Sequence, residues 1–156
     1  MVSAMTSTAR VDLAAALRRA GLRVTASRIA VLAELTDGEH LTADQVALAV
    51  RERLGTISTQ AVYDVLGALT RVGLARRIEP AGSPARYETR VGDNHHHVVC
   101  RSCGAVTDVE CVVGEPPCVL PSDASGFVID EAEVTFWGLC PGCQTTSKSN
   151  EKEIAR

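Results

Sequence analysis

The sequence predicts a mixed α/β (α+β) chain of 156 residues, in which a helical winged-helix half is followed by a strand-rich half tied together by metal. Three observations carry that expectation. Four apolar stripes of helical spacing succeed one another up to Gly73, and an extended pair joined by a Pro/Gly-rich connector follows them. Two Cys-x-x-Cys pairs, Cys100/Cys103 and Cys140/Cys143, then bracket the remainder, with His95, His96 and His97 just before the first.

The first stripe is Val11, Leu13, Ala14 and Leu17, and it ends at Gly21. Thr25 can cap a second helix carrying Ile29, Val31, Leu32 and Leu35, closed by Asp37 and Gly38. Thr42 followed by Gln45 is a capping box for a third, with Val46, Ala49, Val50 and Leu54 facing inward. Ser58 caps a fourth, whose Ala61, Val62, Val65, Leu66 and Leu69 are expected to be buried and which stops at Gly73. Short helices with brief connections make a helix-turn-helix bundle. Residues 74–78 and 85–89 form a hairpin across the turn-rich 79–84, which completes a winged helix. In that module the fourth helix enters the major groove of double-stranded DNA. Ser58, Thr59, Gln60, Tyr63 and Asp64 then lie at or near its exposed N-terminal end. Arg76 and Arg77 of the hairpin, with Arg23 and Arg28, are placed to meet phosphates.

Residues 92–94 are read as a hinge between a DNA-binding domain at 1–91 and a metal-binding domain at 95–147. Beyond the hinge, residues 97–100, 105–109 and 127–139 have the β-branched and aromatic content of strands, with turns at 101–104 and 123–126. Three prolines within 114–121 exclude a long helix there, and the charged tail 148–156 is expected to fray.

A hydrophobic content of 46% is enough for a packed core. No apolar run reaches the roughly 18 residues of a membrane span, and the N-terminus lacks the layout of a signal peptide, so a cytoplasmic protein is expected. In a reducing cytosol the six cysteines are better read as metal ligands than as three disulfides. Charge is divided along the chain. Residues 1–92 hold twelve arginines against nine acidic residues, and 93–156 hold four basic against ten acidic. Such asymmetry suits a nucleic-acid-facing half and a metal-attracting half.

A two-residue spacer lets one tight turn aim both sulfurs of a Cys-x-x-Cys at a single ion, so the two pairs match tetrahedral zinc. The histidines are surplus to that site and suit a second, more exchangeable metal. Cys111 and Cys118 are expected to be small buried apolar residues, because nothing nearby in sequence supplies the cationic environment that activates a thiolate. A redox switch between them is the alternative.

Over about residues 10–145 the chain resembles the ferric uptake regulator family. The matching stretches are Leu22-Arg23-Val24-Thr25 with Arg28, His40 with Thr42-Ala43-Asp44, residues 58–63, Gly73-Leu74 and Arg86-Tyr87-Glu88. They continue through His95 to Gly104 and Gly138 to Cys143. The approach Gly92-Asp93-Asn94 to the histidines and the stretch Asp130-Glu131-Ala132-Glu133 are most similar to a peroxide-sensing actinobacterial branch tied to catalase-peroxidase genes.

That resemblance implies a winged-helix domain and an α/β dimerisation domain, acting as a homodimer on palindromic operators when metallated. A dimer also follows from geometry, since one recognition helix reads only a half-site. It implies structural zinc on Cys100, Cys103, Cys140 and Cys143, and a regulatory Fe(II) or Mn(II) on His40, Glu88, His95, His97 and Asp108. An ion with ligands from both halves would fix their angle, and its loss would free them. Asp108 stands where iron sensors carry Glu, which is the pattern of peroxide sensors: iron-bound protein would lose a ligand by histidine oxidation and leave DNA. This is not turnover, so no enzyme and no small-molecule substrate other than peroxide as signal are expected. At a further metal site the chain departs from the family, with Asn94, His96, Glu115 and Ala132 leaving only His96 and Glu115 as weak ligands. His96, facing away from His95 and His97 on a strand, is therefore expected at the surface or as a weak ligand.

Alternatives within the family are an iron- or zinc-uptake regulator and a thiol-disulfide repressor. From another class, a small zinc hydrolase or deaminase would need His-Glu-x-x-His, or His-x-Glu with Pro-Cys-x-x-Cys, and neither motif occurs.

Overall fold

Helix-forming stripes and their caps account for most of the N-terminal architecture. In a computed structural model, residues 7–37, 40–93, 95–111, 119–129 and 132–145 are described. They divide into two units, Met1–Val91 and Gly92–Arg156. The first contains α1 (Ser7–Arg19), α2 (Ala26–Asp37), β1 (Leu41–Thr42), α3 (Ala43–Leu54), α4 (Thr59–Arg71), β2 (Arg76–Ile78) and β3 (Arg86–Glu88).

Thr25 Oγ1 accepts the Arg28 N–H at 3.3 Å, opening α2 as its sequence predicts. The capping box of α3 is complete: Gln45 N–H donates to Thr42 Oγ1 at 3.3 Å and Thr42 N–H donates to Gln45 Oε1 at 2.8 Å. Ser58 Oγ accepts the Ala61 N–H at 3.1 Å. Gly73, at φ +70°, lets Leu74 N–H reach back to the Leu69 carbonyl at 3.0 Å, which ends α4 where the wing must begin.

Leu17, Val31, Leu35, Val46, Val50, Val62, Leu66 and Leu69 close the core among the helices, with Tyr87 of β3 packed in the same cluster. Two inward assignments differ from the periodicity. Leu54, the last residue of α3, is 41% exposed, while Ala47 takes the inward position one turn after Ala43. Ala49 and Ala61 are half-buried. The Val11 and Asp37 side chains and Gly38 lie outside the described residues.

β2 and β3 pair antiparallel with Arg76 opposite Glu88 and Arg77 opposite Tyr87, and they are shorter than their apolar patterns suggest. β1 adds a third strand on the other edge of β3, giving the order β1-β3-β2. Two residues, the second of them the α3 cap itself, carry no strand signal of their own.

In the second unit β4 (His95–Cys100), β5 (Val106–Glu110) and β6 (Thr135–Gly138) form a sheet of order β5-β4-β6, with β4 antiparallel to β5 and parallel to β6. A helical turn at 141–145 follows. The long strand expected over 127–139 is only its last third. Residues 127–129 carry no ladder pairing and follow a turn in which Phe127 N–H donates to the Ala124 carbonyl, with Phe127 76% and Val128 94% exposed. β-propensity marks fitness for a sheet but does not supply a partner strand. Residues 94, 112–118, 130–131 and 146–156, hence Asn94, Glu115, Cys118, part of the proline-rich stretch and the tail, lie outside the described residues.

Candidate metal centre

The two cysteine pairs arrive by different elements. Cys100 ends β4 and Cys103 follows in the turn, where Gly104 N–H donates to the Cys100 carbonyl at 2.9 Å. Cys140 follows β6, and Cys143 lies within the helical turn closed by Gln144 N–H to the Cys140 carbonyl at 3.0 Å. Parallel pairing of β4 and β6 puts Cys100 opposite Gly138, so both knuckles sit at one end of the sheet. Their four sulfurs lie within 4.8 Å of one another. Cys103 Sγ and Cys140 Sγ are 3.7 Å apart. Zinc–sulfur bonds of about 2.3 Å in a tetrahedron separate sulfurs by about 3.8 Å, so the donor set fits that ion.

Electrostatics within the cluster agree. Backbone N–H groups of Cys103 and Cys140 hold the Cys100 thiol down to about 6, and the Cys140 N–H lies 3.3 Å from its sulfur. Cys143 behaves oppositely. A hydrogen bond with the Ser102 side chain is its largest single influence and favours the thiolate, but the crowding sulfurs of Cys140, Cys103 and Cys100 outweigh it and push the thiol up to about 11. Four clustered thiols resist joint ionisation unless a cation compensates, and a bound divalent ion deprotonates them outright.

The histidine and carboxylate donors form a set in each unit. In the first, His40 Nε2 lies 3.1 Å from Glu88 Oε2, and both residues are buried. Arg86 Nη1 donates to the His40 carbonyl at 3.0 Å and holds that residue at φ +20°, an uncommon backbone setting for a non-glycine. A buried carboxylate is costly unless paired or bound to a cation, so Glu88, 4% exposed, marks chemistry rather than packing.

In the second unit, β4 presents His95 and His97 on one face, their rings edge-on at 4.9 Å, with β5 supplying Asp108 directly opposite His97. Asp108 Oδ1 lies 3.8 Å from His95 Nε2 and 3.7 Å from His97 Nε2. Donors up to about 4.2 Å apart can share an ion bonded at about 2.1 Å to each, so Asp108 is at ligand-sharing distance from both imidazoles and His40 is at that distance from Glu88.

His96 points to the opposite face, as strand alternation requires, but it is not a surface residue. It is 7% exposed, with its ring 6.2 Å from that of Phe136 on β6. The parallel neighbour strand, invisible in the local sequence, covers it. Ala132 is half-buried, and so is Cys111, directly after β5. Local sequence also gave no sign of Asp93, whose Oδ1 lies 2.8 Å from His95 Nδ1. An acid two residues before a histidine has no metal-ligand signature, and only the turn at Gly92 brings them together.

On the first unit's surface, Ser58, Gln60, Tyr63 and Asp64 are exposed along the start of α4 and Thr59 is half-buried. Arg51 donates from Nη2 to Thr59 Oγ1 at 2.8 Å and from Nε to the Ile57 carbonyl at 3.1 Å, which fixes the entry to that helix. Gln60 donates to Asp64 Oδ1 at 2.9 Å. Arg23 and Arg77 are exposed, Arg77 pairing with Glu79 on the wing. Arg76 is half-buried. Arg28 is half-buried too, with Nη1 donating to the Arg23 carbonyl at 2.7 Å, so it braces the loop before α2.

A winged helix followed by a sheet with a four-sulfur cluster and a histidine-lined face is the arrangement that comparison with known proteins identifies. The family model described as Ferric uptake regulator family matches residues 19–116. The chain belongs to the ferric uptake regulator family.

Among curated relatives, Transcriptional regulator FurA of Mycobacterium tuberculosis is 56% identical over 138 residues, covering 88% of this chain and 94% of that protein. Ferric uptake regulation protein 1 of Mycolicibacterium fortuitum is 58% identical over 126 residues, covering 81% of this chain and 78% of its own length. Peroxide-responsive repressor PerR of Staphylococcus aureus is more distant, at 28% over 131 residues, covering 83% and 88%. The solved ferric uptake regulator of Pseudomonas aeruginosa with manganese superposes with a TM-score of 0.61 at 25% identity, covering 83% of this chain and 98% of that one.

As a member of the ferric uptake regulator family, this protein is a metal-dependent transcriptional regulator and not an enzyme. It acts on DNA as a dimer, and its described residues include four clustered thiols and buried imidazole and carboxylate donors that could hold metal ions. Among the described residues no helix is long and apolar enough to cross a membrane.

Proposed function

We propose that this ferric uptake regulator is a peroxide-responsive repressor of the cytoplasm, binding palindromic operators as a homodimer and controlling catalase and oxidative-stress genes together with its own promoter. Structural zinc is held by Cys100, Cys103, Cys140 and Cys143. The regulatory Fe(II) or Mn(II) takes its ligands from His40, Glu88, His95, His97 and Asp108. An ion that draws donors from both units links them, and loss of one ligand unlinks them, which is the bistable element that a repressor needs.

The observation that carries the peroxide reading is Asp108 within reach of two buried imidazoles, His95 and His97. Iron(II), if held by His40, Glu88, His95, His97 and Asp108, would supply redox chemistry toward peroxide. The protein supplies the target, because buried histidines held beside the ion meet the resulting oxidant before bulk solvent can. The similarity to the staphylococcal PerR supports this reading, and the name of the M. fortuitum relative supports an iron-uptake regulator instead.

The remaining surface serves DNA. Ser58, Thr59, Gln60 and Tyr63 read bases from the start of α4, while Arg23, Arg76 and Arg77 contact phosphates and Arg28 supports Arg23 from behind.

A gel shift against the protein's own promoter separates the readings. Brief peroxide treatment of the Fe(II) form is expected to abolish operator binding and add oxygen mass to a peptide containing His40, His95 or His97, while the Mn(II) form keeps its binding. Equal release with Mn(II), reversed by a thiol reductant and without histidine oxidation, would replace the iron mechanism with a cysteine switch. Insensitivity of both forms to peroxide would leave an iron-uptake regulator.

A further inference from the structure

We propose that Asp93 is a positioning residue for His95: its carboxylate accepts the Nδ1 proton, which fixes the tautomer and leaves Nε2 as the metal-binding nitrogen. The inference rests on the assignment of His95, His97 and Asp108 to the regulatory metal. It concerns an acid outside that ligand set.

Three observations converge on it. First, Asp93 Oδ1 lies 2.8 Å from His95 Nδ1, the separation of a short charge-assisted hydrogen bond. Second, the other ring nitrogen of His95 faces Asp108 Oδ1 at 3.8 Å, so the imidazole is aligned with one nitrogen toward each carboxylate. The His97 ring, edge-on at 4.9 Å, restricts rotation between them. Third, Gly92 sits at φ +76°, a backbone setting that L side chains rarely adopt, and this turn folds the Asp93 carboxylate back over the first residue of β4.

The chemical consequence is specific. Neutral imidazole carries one proton and one lone pair, and which nitrogen has the lone pair depends on what the other one meets. With Asp93 accepting at Nδ1, the lone pair stays on Nε2, on the face shared with His97 and Asp108. A carboxylate behind the ring also raises the basicity of the ligating nitrogen. Outer partners of this kind are typically worth about 10- to 100-fold in metal affinity. The bland alternative is an ion pair at the rim of the sheet. The Asp93 side chain is 41% exposed and that of His95 fully shielded, so removing the acceptor costs stability under either reading, and metal affinity with the ring tautomer separates the two.

The test uses full-length dimer with its zinc in place and Mn(II) as the probe, titrated by calorimetry. Asp93→Ala is expected to weaken Mn(II) binding about 10- to 100-fold, and Asp93→Asn, which keeps a neutral acceptor, to fall between Ala and wild type. Nitrogen-15 spectra of the His95 ring should show the Nδ1–H tautomer in wild type and a mixture in Asp93→Ala. Zinc content should not change, and any fall in melting temperature reports only the lost hydrogen bond. Wild-type Mn(II) affinity in Asp93→Ala, or Asp93→Asn no better than Asp93→Ala, overturns the positioning role. His97→Ala separates the two levels: if it too binds Mn(II) like wild type, the regulatory-site assignment itself has failed. If it loses Mn(II) while Asp93→Ala does not, only the positioning role has.

Discussion

At the scale of single residues, the chemistry of this protein depends on burying groups that water would otherwise stabilise. Glu88, His40, His95 and His97 are each less than a tenth exposed. Apolar replacements of such groups are often harmless to folding, whereas removing one partner leaves the others unpaired. Asp108→Glu is therefore an informative change, since it keeps the charge and alters only reach. It should preserve metal-dependent operator binding and blunt the response to peroxide, as read by gel shift of the Fe(II) protein before and after exposure. Cys103 is different in kind. The residue is exposed, so on the proposed assignment Cys103→Ser removes one of four zinc ligands with little loss of core packing. Structural zinc binding is itself folding free energy. Elemental analysis should find the tightly bound zinc lost, and size-exclusion chromatography should find the second unit unfolded or the dimer dissociated. A folded dimer with full zinc would refute the four-thiolate assignment.

At the scale of elements, caps and stripes decide where helices begin and what they bury. Thr42→Ala removes one half of the α3 capping box and should cost about 1 kcal/mol, seen as a lower melting temperature with operator contacts intact. Leu66→Ala, at a fully buried position of α4, should cost about 2 to 5 kcal/mol through lost burial and the cavity left behind. Its effect on DNA binding should follow from stability alone. Tyr63, 46% exposed on the same helix, inverts that pattern. Tyr63→Ala should leave melting unchanged and weaken a specific operator more than random DNA, whereas Arg77→Ala on the wing should weaken both and lower the salt slope by about one. Undiminished operator binding by Tyr63→Ala would mean that another surface reads the bases.

At the scale of the whole molecule, the proposed function gives DNA to the arginine-rich first unit and the zinc to the acidic, cysteine-bearing second unit. Chelation tests the division. A chelator that strips the exchangeable ion and leaves the thiolate-bound zinc should abolish operator binding while the protein stays folded and dimeric. Adding Mn(II) should restore binding without refolding. Harsher treatment that removes zinc should unfold the second unit, and Mn(II) should not rescue it.

The sequence by itself determined the helices, their caps, the wing and the two cysteine turns. Each is written in a window of a few residues: Thr42 with Gln45, Ser58 with Ala61, or two cysteines around one tight turn. Strand alternation likewise put His95 and His97 on a common face before any partner was known. Tertiary structure decided what depends on strangers in the chain. His96 looked exposed because the strand that covers it, with Phe136, lies 40 residues away. β1 exists only because β3 offers it an edge, and residues 127–129 stay unpaired because no described strand offers them one. Asp93 became legible only when the turn at Gly92 brought its carboxylate to His95. Local propensity specifies elements, whereas register, cover and second partners arise from long-range pairing, whose energy no short window contains.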